Sequence, residues 1–187
     1  MRIDLEQFDR AYRSDTDPWR FASSAYEQRK YDVTVACLPR RRYRRCFEPG
    51  CSIGALTSRL AERADKVVAI DTSPTAIRSA TKKLTALANV SIEQGALPED
   101  WPSGAFDLIV FSEIGYYWDE SELATIVGQA RERLTADGQL IGVHWLGYSD
   151  DHLLGGMAVH HVITRIFGKP IVHHREPAFV LDVWDRP

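Results

Sequence analysis

The sequence has few cysteines: Cys37, Cys46 and Cys51 are the three among its 187 residues. They form no Cys-x-x-Cys pair, and they have no cysteine–histidine spacing of the kind that binds zinc. An odd number of cysteines and the lack of a signal peptide predict a protein of the reducing cytoplasm. No apolar run approaches the length of a membrane span, so we expect no membrane partner.

The sequence also lacks a strong charge of either sign. Its net charge is −3 at pH 7, so no overall basic field attracts nucleic acid or an anionic membrane surface. A short basic cluster within residues 40–45 is interpreted as a solvated connector. Five histidines lie between residues 152 and 174, but they show neither H-x-x-x-H spacing nor a paired carboxylate, and we predict no metal site.

From residue 44 onward, segments typical of strands alternate with segments typical of helices. Strands are predicted over residues 44–49, 66–71, 89–95, 105–113 and 139–146, and on either side of Pro177. Helices are predicted over residues 52–64, 74–88, 119–138 and 151–167. The alternation implies parallel strands joined by crossover helices, whereas the last two strands are too close for a crossover and must pair antiparallel. We therefore predict an α/β fold: a Rossmann-like three-layer sandwich whose mostly parallel, seven-stranded sheet ends in an antiparallel hairpin.

The predicted helices carry capping signals. Ser73 followed by Pro74 predicts a helix start. Asp119 is followed three residues later by a glutamate, as in a capping box. Gly138 is predicted to end the helix that Asp119 opens, in the left-handed conformation.

The segment between the first predicted strand and helix, Glu48–Gly54, is a turn rich in small residues. Gly50 allows backbone conformations closed to other residues, and Gly54 lets a ligand approach the unpaired N–H groups at the helix start. The turn fits neither phosphate-binding pattern. In the dinucleotide fingerprint G-x-G-x-x-G/A, Ser52 would replace the second glycine, and the lysine of the Walker A pattern is missing.

Asp71 ends the second predicted strand, where an acid in such folds accepts hydrogen bonds from ribose hydroxyls. Its carboxylate can bind both hydroxyls of a cis-diol. Together with the turn, Asp71 predicts a pocket for a nucleoside that carries no diphosphate. The alternative is that Asp71 caps the helix beginning at Pro74.

The turn Glu48–Gly54, followed by "VVAID" and later by "FDLIVFSE", resembles the core of class I S-adenosylmethionine-dependent methyltransferases, with Ser52 in place of the middle glycine of E/D-x-G-x-G-x-G. Five segments are similar in order and spacing to the nodulation protein S branch, the N-methyltransferases of lipochitooligosaccharide synthesis: "DPWRF", "YEQRKY", "FEPGCSIGALTSRLA", "VVAIDTSPTAI" and "FDLIVFSEIGYYW". The similarity covers roughly residues 8–145 and weakens beyond them.

The resemblance implies S-adenosylmethionine as the cofactor and a role for each matching residue of the turn. Gly50, Cys51 and Gly54 would shape the turn under the methionine part of the cofactor, with Glu48 supporting it from the strand end. Asp71 would bind the ribose hydroxyls.

Further site residues are implied at the ends of the second, third and fourth strands. Thr72 would border the adenine. Ala96 stands where this fold usually has an acid that contacts the adenine amino group, so the backbone there and the side chain of Leu97 are expected to hold the adenine. Ser112 and Glu113 would lie beside the methyl group.

The resemblance also implies that residues 1–40 form a helical cap over the cofactor site of a single domain, which spans residues 1–187. Arg29 would reach the methionine carboxylate. Trp19 would either line the cofactor or only pack the cap onto the sheet.

Methyl transfer needs an acceptor with an accessible lone pair, so a base near the methyl group is useful. Glu113 is the first candidate, since a carboxylate can orient an ammonium group and accept a proton; alternatively, it binds the cofactor's amino group. His144, at the end of the fifth strand, is the second candidate, with a structural role as the alternative. Tyr117 is one of three consecutive aromatic residues that could wall the site and stabilise positive charge. At least one of the three is expected in the core.

We therefore predict a small-molecule methyltransferase whose acceptor is an amine on a sugar-like or natural-product substrate. The alternatives are O-methylation of a natural product and a non-catalytic nucleoside-binding protein. A nicotinamide-dependent oxidoreductase fits less well, because Ser52 and Ala55 break its glycine fingerprint. Nucleic acid is not expected as a substrate, since residues 112–115 read Ser-Glu-Ile-Gly and lack the N/D-P-P-Y/F motif of amino-directed DNA methyltransferases. The sequence makes no prediction of oligomeric state.

Overall fold

The computed structural model describes residues 4–187 and confirms the alternation of strands and helices along the chain. The strands are β1 (Cys46–Pro49), β2 (Val67–Asp71), β3 (Val90–Gln94), β4 (Phe106–Ser112), β5 (Leu134–Trp145), β6 (Val172–Arg175) and β7 (Phe179–Asp185). The helices are α1 (Glu6–Ser14), α2 (Ala25–Ala36), α3 (Ala55–Arg63), α4 (Pro74–Lys83), α5 (Glu120–Arg133) and α6 (Gly156–Phe167), with a 3-10 helix at Gly115–Tyr117. The strand order in the sheet is β3-β2-β1-β4-β5-β7-β6. The predicted α/β fold, a mostly parallel seven-stranded sheet with a terminal antiparallel hairpin, is confirmed.

The described chain divides into two compact units, Asp4–Pro102 and Ser103–Pro187. In the first unit, β1, β2 and β3 run parallel. Every residue of β1 and β2 is buried, as expected for strands covered on both faces, whereas β3 at the sheet edge is partly exposed. The single domain over residues 1–187 with a helical cap over 1–40 stays a prediction, and its first three residues lie outside the described part.

In the second unit, β4 and β5 run parallel, and β7 pairs antiparallel with both β5 and β6. A central strand of this kind is screened from water on both edges and both faces. The first six residues of β7 are accordingly buried, and Trp184 is among the largest fully buried side chains of the protein.

Two predicted helix starts are confirmed. Ser73 caps α4, since its hydroxyl accepts the N–H of Ala76 at 3.1 Å, with Pro74 in the first turn. The carboxylate of Asp119 caps α5 by accepting two N–H groups of the first turn, both at 3.0 Å. Each cap satisfies donors that the first turn of a helix leaves unpaired.

The prediction for Gly138 is wrong. Helix α5 ends at Arg133, residues 134–138 already belong to β5, and Gly138 does not have a positive φ. The carbonyl groups of Leu134 and Gly138 both accept hydrogen bonds from Arg186, which lies 52 residues beyond Leu134. This distant partner holds the segment in extended form, and a local glycine signal cannot reveal it.

Besides α5, two further helices are five residues shorter than predicted at one end. Helix α4 ends at Lys83 rather than near residue 88, and α6 begins at Gly156 rather than at residue 151. A side chain at position 156 would come within 2.4 Å of the carbonyl oxygen of Trp145, so α6 starts where its backbone passes close to the end of β5. Among residues 4–187, no helix has both the length and the hydrophobicity that crossing a membrane requires.

Candidate active site

Left-handed backbone at three positions shapes the turn between β1 and α3. Gly50 and Gly54 have φ values of 73° and 77°, and Ser52 between them has φ of 54°. Glycine adopts this region readily, whereas a serine there costs about 1–2 kcal/mol. The N–H groups of Gly50 and Cys51 donate to the carbonyl of Ile70 at 2.8 and 3.0 Å. These bonds tie the turn to the end of β2.

Asp71 is bound both to the turn and to the start of α4. Its Oδ2 accepts the N–H of Ser52 at 2.8 Å, and its Oδ1 accepts the N–H of Ser73 at 2.9 Å. A carboxylate has about four lone-pair sites, so the group keeps acceptor capacity for ribose hydroxyls. Burial raises the pKa of Asp71, and the backbone N–H groups oppose that rise. Ser73 provides the side-chain cap of α4, which argues against the alternative interpretation of Asp71 as that cap.

Glu48, the acid at the start of the turn, is 2% exposed, and its Oε2 has no hydrogen-bond partner among residues 4–187. Burial raises the pKa of Glu48 to about 8; the hydroxyl of Thr57 opposes this rise and the charge of Asp71 adds to it. A buried carboxyl oxygen without a partner is costly, and a cationic ligand group would relieve that cost.

Cys51, which lies in the turn and is also predicted to contact the cofactor, is buried. Burial, followed by the charges of Asp71 and Glu48, raises the pKa of its thiol well above the usual range. The side chain is therefore a small apolar wall and not a nucleophile.

Helix α1 lies on the turn and on the start of α4. The hydroxyl groups of Tyr12 and Ser52 share a short hydrogen bond. Asp9 Oδ1 accepts the hydroxyl of Ser73 at 2.7 Å and the N–H of Thr75 at 3.0 Å. The hydrogen bond from Ser73 lowers the pKa of Asp9 to about 2. The serine that replaces the middle glycine of the turn thus supplies a docking point for α1, which glycine could not.

Trp19, predicted to line the cofactor or only to pack the cap, is 38% exposed. Its ring meets Tyr12 edge-on at 5.2 Å and stacks on Phe21 at 5.9 Å between centroids. These contacts belong to the packing of the N-terminal segment.

Arg29 is exposed on α2, whereas the next residue, Lys30, is 1% exposed. The Lys30 ammonium donates to Oε1 of Glu27 at 3.0 Å. The role of Arg29 stays a prediction. Lys30 is a buried cation that the sequence motifs do not predict as a site residue. Its one signal in the sequence is Glu27, an acid three residues earlier on the same helix.

The segment after β3 carries the residues predicted to hold the adenine. Leu97 is buried and Ala96 is half-buried. The N–H of Gly95 donates to the carbonyl of Asp71 at 3.0 Å, so this segment lies at the end of β2, where half-buried Thr72 follows. The first unit therefore brings together the predicted ribose and adenine contacts.

In the second unit, Glu113 directly follows β4 and has φ of 58°. Left-handed backbone at a glutamate is strained, and such strain clusters at functional sites. Its Oε2 accepts the hydroxyl of Tyr116 and the N–H of Trp145, the latter at 3.4 Å. Ser112, also predicted in the site, is the half-buried last residue of β4. The carboxylate of Glu113 is thus held at the open end of this strand.

Aromatic rings lie around Glu113. Tyr116 is 3% exposed, which confirms that at least one of the three consecutive aromatic residues is in the core, and its ring meets Tyr117 edge-on at 5.2 Å. Burial, with added contributions from Asp151 and Glu113, raises the pKa of Tyr117 well above its usual range. The phenol of Tyr117 therefore stays protonated at neutral pH, so it can wall a site or donate a hydrogen bond but cannot act as the base.

His144 is fully buried, and both its ring nitrogens have partners. The N–H of Gly115 donates to Nε2 at 3.1 Å, which leaves the ring proton on Nδ1. That Nδ1 lies 3.0 Å from Nε2 of His160. This geometry favours the structural role for His144 over the role as a base.

The hydrogen bonds of His144 continue into a network that no sequence motif predicts and that reaches the surface at His173. His160 Nδ1 lies 2.6 Å from Oδ2 of Asp182, and His173 Nδ1 lies 2.6 Å from Oδ1 of the same carboxylate. Burial would raise the pKa of Asp182, but the hydrogen bonds from His160 and His173 lower it overall. Among residues 4–187, no group of three or more acids, histidines and cysteines has the arrangement of a metal site.

A glycine pair tests the conformation of the turn. An added Cβ at Gly54 would lie 2.7 Å from Cδ1 of Leu84, at a φ of 77°, and we expect Gly54→Ala to destabilise the fold by about 1–2 kcal/mol. Gly128 in α5 is the matched control, since a Cβ there meets nothing within 4 Å. Gly128→Ala is expected to stabilise by about 0.5–1 kcal/mol. Urea unfolding measures both changes, and a shift of the same sign in the two variants would contradict this account.

The glycine-containing turn after β1, the acid that ends β2 and the terminal antiparallel hairpin define the Rossmann-like fold of class I methyltransferases. The sequence model of one protein family, nodulation protein S (NodS), matches residues 4–163. The chain belongs to the nodulation protein S family.

Individual relatives agree with this assignment. Nodulation protein S from Azorhizobium caulinodans is 30% identical over 127 residues, which are 67% of this chain and 61% of the relative. For nodulation protein S from Rhizobium tropici, identity is 28% over 127 residues, 67% of this chain and 53% of the relative. The matched part of the chain thus spans little more than half the length of these relatives.

Two solved structures are similar over most of the chain. A provisionally assigned methyltransferase from Pseudomonas syringae is 41% identical, with a TM-score of 0.78 over 87% of this chain and 100% of that one. The N-methyltransferase NodS from Bradyrhizobium japonicum, solved with S-adenosyl-L-homocysteine, has a TM-score of 0.85 at 22% identity, over 98% of both chains. At that identity, the second structure is evidence for the fold.

Proposed function

We propose that the chain transfers a methyl group from S-adenosylmethionine to an amine on a small hydrophilic acceptor, such as an amino sugar. Membership in the nodulation protein S family supports this proposal, as does the relative solved with the demethylated cofactor. The observation that carries it is the carboxylate of Asp71, which the N–H groups of Ser52 and Ser73 orient while it keeps acceptor capacity for a ribose diol.

The residues around the turn fit this cofactor. Glu48, with an unpaired Oε2 in a buried site, would accept the amino group of the methionine part. Asp71 would bind the ribose, and Leu97 would cover the adenine. Gly54 lets the start of α3 pack closely on Leu84, since an added Cβ there would lie 2.7 Å from Cδ1 of Leu84. A diphosphate cofactor fits less well, since the turn has Ser52 where the dinucleotide fingerprint needs a bare glycine.

The cofactor, when bound, supplies an electrophilic methyl group: the acceptor's lone pair forms the new bond to carbon, and the electron pair of the carbon–sulfur bond leaves with sulfur. The chain's own residues must therefore bind and orient the acceptor and remove its proton. The carboxylate of Glu113 would attract a cationic amine, and the rings of Tyr117 and Trp145 would stabilise its charge. An acid among aromatic rings suits an amine better than a neutral hydroxyl.

The raised pKa of Glu48 predicts a pH-dependent stability. Because its pKa rises from 4.5 to about 8 on folding, the folded state holds this proton more tightly, and stability is lost as pH rises between these values. Wild type should therefore lose up to about 1.4 kcal/mol per pH unit relative to Glu48→Gln across that window. Urea unfolding at pH 5, 6.5 and 8 measures the difference, with exposed Glu62→Gln as control. Parallel pH curves for wild type and Glu48→Gln would refute it.

Cofactor choice and acceptor class are tested in two steps. At a 100-fold excess over Kd, S-adenosylmethionine and its demethylated product should each raise Tm by about 5–10 °C, whereas NAD should not. Release of the demethylated product is then measured with a glucosamine-terminated chitotetraose and with its fully N-acetylated counterpart. Stabilisation by NAD alone would overturn the methyltransferase proposal. Turnover of the N-acetylated acceptor would favour O-methylation instead.

A further inference from the structure

His152 lies in the loop between β5 and α6. The N–H groups of Leu153 and Leu154 donate to the carbonyl of Tyr116 at 2.8 and 3.3 Å, which holds the loop against the 3-10 helix. The side chain of His152 is 10% exposed, yet neither ring nitrogen has a hydrogen-bond partner within residues 4–187. The imidazole is half-buried, and the fold does not use its nitrogens, so they are available to a ligand that brings its own hydrogen bonds.

Three aromatic side chains surround the imidazole of His152. Its ring stacks on Tyr116 with 3.7 Å between centroids and 16° between planes. Tyr117 and Trp145 meet it edge-on, at 5.4 and 6.2 Å. The stack fixes the ring plane, and the edge contacts hold the ring from the side. The imidazole is therefore positioned before any ligand arrives.

Two carboxylates act on this ring. Asp151 Oδ1, in the same loop, lies 3.9 Å from Nε2, and Glu113, at the end of β4, is bonded to the same tyrosine on which the ring stacks. Burial lowers the pKa of His152, and the charges of Asp151 and Glu113 oppose that effect. The ring is thus neutral at neutral pH, and the two acids can stabilise the imidazolium that forms when it gains a proton.

We infer that His152 is the base that removes the proton from the acceptor amine, in the same site to which Glu113 attracts that amine. This inference rests on the proposed function. Asp151 favours the ring proton on Nε2, so Nδ1 carries the lone pair that accepts the proton. The amine nitrogen keeps the electron pair of its N–H bond, uses it to form the bond to carbon, and the imidazolium returns its proton to solvent. His144 cannot serve in this way, because both its nitrogens are engaged in the core.

Two substitutions separate the base from the stacking ring. His152→Gln keeps a polar side chain, and His152→Phe keeps the stack on Tyr116; both lack a base of suitable pKa. We expect each to lower kcat by about 100-fold and to leave the Kd for the demethylated cofactor within about threefold. Wild type should show an acidic decline of kcat/KM, and this decline should vanish in both variants. Exposed His161→Gln is the matched control and should behave as wild type.

A binding measurement makes the inference independent of turnover. The imidazole Cε1–H resonance of His152, assigned by its loss in His152→Gln, is followed by NMR in the full chain saturated with demethylated cofactor. The glucosamine-terminated chitotetraose should shift this resonance, and the N-acetylated form should not.

The outcomes distinguish the two proposals. A resonance unmoved by the amine, or an acidic decline that persists in both variants, would overturn the role of His152 even if the cofactor binds. Failure of the cofactor to bind wild type would overturn the proposed function and, with it, the role of His152 as a base in methyl transfer. An amine-induced shift would then still place the acceptor at His152.

Discussion

Replacing Asp71 with asparagine is expected to raise the Kd for S-adenosylmethionine by about 100-fold or more. The carboxylate would accept two ribose hydroxyls in charge-assisted hydrogen bonds, and an amide can offer only one acceptor oxygen. The loss extends to the protein itself. Both carboxylate oxygens accept backbone N–H groups, from Ser52 and Ser73, and one of these donors would face the amide nitrogen. The turn after β1 would therefore lose an anchoring hydrogen bond, and the ligand would lose a hydrogen-bond acceptor.

Calorimetry on the folded variant measures this effect, after urea unfolding has established the concentration range in which Asp71→Asn remains native. Asp65→Asn is the control, since Asp65 is an exposed acid of the same unit whose carboxylate pairs with Arg42 on the surface. It should bind the cofactor like wild type. If the Kd for Asp71→Asn stays within threefold of wild type, the nucleoside does not bind at the end of β2. The basis of the proposed function would then be lost.

The second large effect is expected at Glu113. Glu113→Gln should lower kcat by about 100-fold or more, because the amide neither attracts an ammonium group nor stabilises a protonated His152. The substitution keeps the size of the side chain, and its amide oxygen can still accept the hydroxyl of Tyr116, so we expect the fold to persist. The Kd for the demethylated cofactor should change less than threefold.

Single-turnover assays at saturating cofactor separate this loss from a loss of binding. Glu132→Gln, an exposed acid on α5, is the control and should retain wild-type turnover. A tenfold higher Kd for the demethylated cofactor with little change in kcat would support the alternative that Glu113 binds the cofactor's amino group. Unchanged kcat together with unchanged Kd would remove Glu113 from the site.

Much of the fold follows from local pattern. Buried strands alternate with helices whose starts carry their own caps, at Ser73 and Asp119, and the spacing of the last two strands leaves room only for an antiparallel turn. The turn and Asp71 are likewise predictable. They follow the ends of two neighbouring parallel strands, which lie side by side in the sheet. Helix ends are predicted less well: at the end of α5, for example, a residue near the end of the chain, Arg186, overrides the glycine signal.

The candidate residues of the second unit depend on contacts that no spacing rule encodes. His144 and His160 are 16 residues apart, and His160 and Asp182 are 22 apart. The stack of His152 on Tyr116 depends on a loop whose course is set by backbone hydrogen bonds to the 3-10 helix. From sequence alone, His144 at a strand end is the histidine predicted as a base, and nothing distinguishes His152 from the other histidines. Burial and partners reverse that order.

A series of buried hydrogen bonds runs from Gly115 to Asp182, and donation along it can go in one direction only. At one end, a backbone amide can only donate; at the other, a carboxylate with a lowered pKa can only accept. The two imidazoles between them must therefore both point their N–H bonds toward Asp182, like coupled dipoles aligned head to tail. A main-chain group thus dictates the tautomer of His160, a side chain it never touches.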